Sequence, residues 1–158
     1  ELQAIPKFRL FGFQGAYIEG WGLYAERLAK EMGFYQDPYS EFGHLSLELW
    51  RAVRLVTDTG LHAKRWTREQ AIEYFRDNSL LSERDIVKEV ERYINNPGQA
   101  TSYKIGQLKI LELRERAQRE LGARFDIREF HEVVLGNGAL PLDVLENEVE
   151  TYIASKNS

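Results

Sequence analysis

Between residues 15 and 32, GAYIEGWGLYAERLAKEM, apolar side chains fall at Tyr17, Trp21, Tyr24 and Leu28, with Ile18, Ala25, Ala29 and Met32 beside them. This recurrence at i, i+4, i+7 and i+11 predicts a helix of about five turns, at ~3.6 residues per turn, with one buried face. Along the edge of that arc runs a second stripe, Gly15, Glu19, Gly22 and Glu26, in which carboxylates alternate with glycines. Glycine inside a helix costs roughly 1 kcal/mol relative to alanine, so a close approach is expected on this side. A metal, a substrate or a neighbouring backbone would satisfy it. Spacing alone favours plain helix packing, with the glutamates paired or solvated.

The helical period recurs along the rest of the chain, and no stretch alternates at period two for long enough to make a strand. Residues 1–14 carry Pro6 and Gly12 and predict a short helical end and a loop; Gly33 closes the first long helix. Asp37-Pro38 opens the next, expected over 39–59 with Leu45, Leu49, Ala52, Val53 and Val56 buried and a stop near Gly60. Thr67 with Gln70 forms a capping box, and Ser82 caps a further helix three residues ahead of Asp85. The turn at Asn95-Asn96-Pro97-Gly98 precedes a helix over 99–121 marked by Ile105, Leu108, Leu111 and Leu113, whose charge-laced second half is expected to be solvated. Asp126 and Pro141 open the last two helices. The expectation is an all-α fold of about seven helices in one domain, since 158 residues suffice to bury ~68–70% of the unfolded surface.

Composition excludes several classes of function. A formal net charge of −4 with interspersed signs offers no electrostatic footprint for nucleic acid. Without cysteine there is no thiol nucleophile, disulfide or thiolate metal site. No run approaches the ~20 apolar residues of a membrane span, and the start lacks a signal-peptide pattern. The opening ELQAIPKFRLFGFQ has no methionine and reads as the continuation of something longer, so an upstream portion is expected.

Few residues offer chemistry. His44, His62 and His131 are the three histidines, and none belongs to an HExxH pair. His62, placed after the expected stop at Gly60, is open to two roles, a transition-state hydrogen-bond donor in a cleft or a structural cap. His44 and His131 read as structural or exposed. Tyr103 and Lys104 follow a tight turn at the start of a helix, from which a phenol could donate to a developing oxyanion; Tyr103 reads equally as an amphipathic residue at the core's edge. Arg51 and Arg54, three apart and facing away from the Leu/Val stripe, could fork onto a substrate carboxylate or pair with Glu48 and Asp58.

The stretches AYIEGWGLYAERL, DPYSEFGHLSLELWRAVRLVTDTGLHAKRWTREQAIEYF, RYINNPGQATSYKIGQLKILELR and FDIREFHEVVLGNGALPLDVLE together resemble the C-terminal part of the bacterial family called domain of unknown function 885. That family is similar in arrangement to helical zinc peptidases of the gluzincin type. There, two histidines and a catalytic glutamate come from one helix motif, of the form His-Glu-x-x-Pro-Gly-His-His, and a glutamate on a following helix completes the metal site. The resemblance implies that Glu19 is that following glutamate, with Glu26 behind it. It implies that His62 and Tyr103 bind substrate or stabilise the oxyanion; Arg51, Arg54 and Lys104 are substrate-binding candidates on residue type and position alone. The histidine motif would lie ahead of Glu1, so these residues alone are expected to be inactive. Zinc would belong to the complete protein, and this segment by itself could bind none.

The partners implied are a peptide substrate and the missing N-terminal portion, with self-association possible through an apolar face left open. The compartment stays open between the bacterial envelope, as a periplasmic protein or lipoprotein, and the cytoplasm. The rival reading is a non-catalytic helical module that binds a peptide or a protein beside Glu19.

Overall fold

The structure, a computed structural model, describes residues 5–157. Those residues form eight α-helices and no strand: α1 (Lys7–Phe11), α2 (Gly15–Glu31), α3 (Pro38–Ala63), α4 (Arg68–Asn78), α5 (Glu83–Asn95), α6 (Ser102–Leu121), α7 (Ile127–Gly136) and α8 (Leu142–Asn157). The fold is all-α as expected, seven longer helices preceded by the short α1. The helices gather into two compact units, one of the described residues up to Tyr24 with those from Ile105 onward, the other Ala25–Lys104.

In the second of these units, local chemistry sets most of the helix starts. Asp37 accepts from the backbone N–H groups of Tyr39 and Ser40, with Pro38 in the first turn of α3 where its missing N–H costs nothing. Thr67 and Gln70 make both bonds of the capping box on α4, and the Ser82 hydroxyl accepts from Asp85 N–H on α5. The core joins Val53 of α3 to Ala71, Ile72 and Phe75 of α4 and to Ile86, Val90 and Tyr93 of α5.

Here α3 departs from expectation twice. It runs through Gly60 to Ala63, because Gly60 is where the Trp66 ring lies against the helix: a Cβ there would sit 2.4 Å from the ring. His62 is therefore in the last turn of the helix rather than beyond its end. The arc that packs inward is Val53, Thr57 and Gly60; Leu45, Leu49 and Val56, expected in the core, are exposed because α4 and α5 cover only the neighbouring arc.

In the other unit α2 and α6 meet through glycine, although not through Gly22 of the Glu19/Glu26 stripe. A Cβ on Gly20 would lie 2.4 Å from Gly106 Cα, whereas one on Gly22, within the Glu19/Glu26 stripe, would meet nothing within 4 Å. The close approach is thus backbone against backbone at Gly20. Tyr17, Leu23 and Tyr24 are the buried α2 side chains here; Ile18, and Met32 just past the helix end, are exposed rather than inward. On α6 the inward line is Gly106, Gln107, Ile110, Leu113, Ala117 and Leu121, so the charge-laced half carries core on one side, while Ile105 and Leu108 face solvent. Arg116 on its outer side pairs with Glu112, Glu146 and Glu150, linking α6 to α8.

Candidate functional site

Four turns of α3 and one tight turn place most of the candidate residues. Asp58 is buried, and both of its carboxylate oxygens accept from Gly98 N–H at 3.1 Å. Gly98 takes φ +81°, a left-handed conformation that favours glycine, and the chain then enters the 3-10 turn Gln99–Thr101 and α6. The Asp58 contact therefore fixes where Tyr103 and Lys104 leave the turn.

Tyr103 lies against Arg54, whose guanidinium sits 4.9 Å from the Tyr103 ring centre and 4.5 Å from that of Trp50. Arg54 is 6% exposed and held at two of its nitrogens: Nε donates to Tyr93 Oη at 3.1 Å and Nη2 to Glu89 Oε2 at 3.0 Å. Glu89 also accepts from Tyr93 Oη at 2.7 Å and from Arg92 Nη2 at 3.0 Å. Burial works against the charged Glu89 carboxyl, but the hydrogen bonds of Arg92 and Tyr93 and the charges of Arg54 and Arg92 outweigh it and hold its pKa below the usual carboxylate range. Burial raises the Tyr93 phenol, which stays protonated as a donor.

Arg51 is placed differently. Its guanidinium lies 5.4 Å from the Trp50 ring centre, Nη1 donates to Leu47 O at 3.0 Å, and Nη2 stands 3.7 Å from Glu26 Oε1. Its Nε is buried with no hydrogen-bond partner in the protein. Neither arginine takes the partner that spacing suggested: Glu48 instead accepts from Lys104 Nζ at 2.8 Å, and Asp58 serves the turn. Lys104 and the nearby His44 keep the Glu48 carboxyl low although burial, the largest influence, opposes this.

His62 is exposed, and its Nε2 stands 3.0 Å from the Tyr93 carbonyl. A carbonyl only accepts, so Nε2 carries the proton and Nδ1 of the neutral ring is an acceptor. Donation to an oxyanion from Nδ1 would require the imidazolium. His44 is buried and stacked on Tyr35, and His131 meets Tyr24 Oη at 2.8 Å. Tyr103 Oη accepts from Gln99 Nε2 at 3.4 Å, a long contact that leaves the phenol proton for another acceptor.

The structure thus brings Arg51 and Arg54 to Trp50 and Tyr103 to Arg54, joins Lys104 to Glu48, and rests His62 on α5. Glu19, half-buried on α2, belongs to the other unit. Trp50, Glu89 and Tyr93 were missed as parts of this cluster. Trp50 and Arg54 stand four apart, as do Glu89 and Tyr93, and that same-face spacing was the available signal.

Residues 1–149 match the family model described as "Bacterial protein of unknown function (DUF885)". The chain belongs to the DUF885 family. Among solved structures, this DUF885 chain is similar to one described as "the putative lipoprotein from Colwellia psychrerythraea", with 53% identity and a TM-score of 0.91 over 94% of this chain. The match spans 26% of that protein's chain. No protein with a curated description matches. Among the described residues of the DUF885 chain, no group of three or more His, Asp or Glu side chains is placed to hold a metal ion. Among the same residues, no helix is long and apolar enough to cross a membrane.

Proposed function

We propose that this DUF885 segment serves a zinc-dependent peptidase, of oligopeptidase or carboxypeptidase type, by supplying one metal ligand and residues that hold the peptide. The observation that supports this reading is the cationic and aromatic cluster around Trp50. Arg54, locked by Glu89 and Tyr93, is a fixed support, while Arg51 keeps a buried Nε without a partner and only a distant carboxylate on Nη2. A peptide carboxylate is the planar, bidentate acceptor that such a guanidinium lacks. Tyr103, braced against Arg54, donates its phenol proton to the oxygen on which charge develops. Glu19 is the ligand contributed from α2, with the remaining ligands outside the described residues. Bound zinc would supply Lewis-acid polarisation of the scissile carbonyl. A family neighbour described as a lipoprotein supports an address in the bacterial envelope.

The test is peptide hydrolysis by the polypeptide at its native length. Chelator-sensitive cleavage is expected, and Tyr103→Phe is expected to lower kcat at least ~10-fold with little change in KM, the loss of one oxyanion donor. A native-length protein that binds peptides but cleaves none would sink the peptidase reading in favour of a binding module, and an unchanged kcat would remove Tyr103 from the site.

A further inference from the structure

Phe42, Leu45, Leu49, Ala52 and Val56 follow one another along α3 at alternating spacings of three and four. That is the spacing by which one helix meets another along its length. Phe42 is 61% exposed, Leu45 47%, Leu49 43% and Val56 39%. The arc beside them is the one that packs on α4 and α5, so the stripe is surplus to the core of its own unit. Scattered exposed leucines are ordinary, but a continuous apolar stripe along a 26-residue helix, roughly 39 Å long, marks a contact surface.

Two observations choose the occupant. The solved neighbour is 53% identical to this chain across a segment that makes up only 26% of its own, and the greater part of its polypeptide lies outside the match. Exposed apolar residues are also not confined to α3: in the other unit Phe8, Phe11, Phe13 and Leu108 are open to solvent. A two-fold contact pairs one patch with its own copy, whereas a longer chain can supply a separate apolar partner to each unit. We propose that the α3 stripe is the docking surface for the remaining part of the family's longer polypeptide, which meets it with an apolar helix. The interface does not depend on the zinc reading, because a binding module of the same length would need it too.

This chain contains no cysteine, so Leu49→Cys gives it a single thiol. In the 158-residue chain that thiol reacts with maleimide as freely as a cysteine placed at exposed Lys88. In the native-length polypeptide, with modification read by peptide mass at position 49, labelling is expected to be at least ~10-fold slower and independent of protein concentration. Equal rates at the two lengths would overturn the proposal. Protection that is lost on dilution, together with a dimer in sedimentation, would overturn it in favour of a second copy. Leu45→Cys repeats the measurement should the first variant fold poorly.

Discussion

Gly106→Ala is expected to destabilise the protein by about 3 kcal/mol or more, at the upper end of what overpacking costs. The added Cβ would lie 1.7 Å from the Ala16 carbonyl oxygen and 2.7 Å from Gly20 Cα. These are backbone atoms of α2, which no rotamer change can move aside, so the two helices must separate or the unit must come apart. Alanine's better helix propensity returns only ~1 kcal/mol. Gly22→Ala makes the same chemical change on α2, where the new methyl meets nothing within 4 Å, and is expected to stabilise by ~0.5–1 kcal/mol. Urea unfolding followed by circular dichroism reads both; equal midpoints for the two variants would contradict the backbone contact.

The second large effect is at Arg54. Arg54→Ala removes the guanidinium between Trp50 and Tyr103 and leaves Glu89 with Arg92 as its remaining cation. Breaking a buried pair costs roughly 3–5 kcal/mol; because Arg92 stays and Glu89 keeps some solvent contact, about 3 kcal/mol is expected at neutral pH. Lysine should not rescue it, since an ammonium cannot donate to Tyr93 and Glu89 while stacking on both rings. The pH dependence has a definite sign. The folded Glu89 carboxyl titrates below its unfolded value, so its contribution is present above the unfolded carboxylate pKa and is lost as pH falls through the lower folded one. The cost of Arg54→Ala should therefore shrink in acid. A cost that stays constant as the solution is acidified, or Glu89→Gln and Arg54→Ala effects that simply add, would show that the pair is not coupled.

These sites also show what the sequence made legible. The caps at Asp37, Thr67 and Ser82 could be read because donor and acceptor lie within a few residues of each other. On α5, Ile86, Val90 and Tyr93 follow the helical period and are buried, whereas Ile94, which the same period would also turn inward, is exposed. On α3 the same method fails: Val53 with its neighbours and Leu45/Leu49/Val56 are both periodic, and only packing partners far along the chain decide between them. Hydrophobic periodicity also gives no weight to glycine, so Gly20 against Gly106 was invisible while the more conspicuous Gly22 is in open space. The candidate site divides similarly. Arg51, Arg54 and Tyr103 could be singled out by residue type, whereas Arg54's partners Glu89 and Tyr93 come from α5 and follow from tertiary packing. Asp58 illustrates the reverse, a carboxylate within reach of Arg54 by spacing that instead holds the turn at Gly98.

The most direct test of the peptidase reading is the zinc content of the native-length polypeptide and of its Glu19→Gln variant, measured on refolding-competent protein of matched helicity. About one zinc per chain in the parent and its loss in the variant, with hydrolysis lost alongside, is the predicted result, because glutamine removes the charge that an oxygen ligand supplies to the metal. Equal zinc content and equal affinity in the two proteins would contradict Glu19 as a ligand.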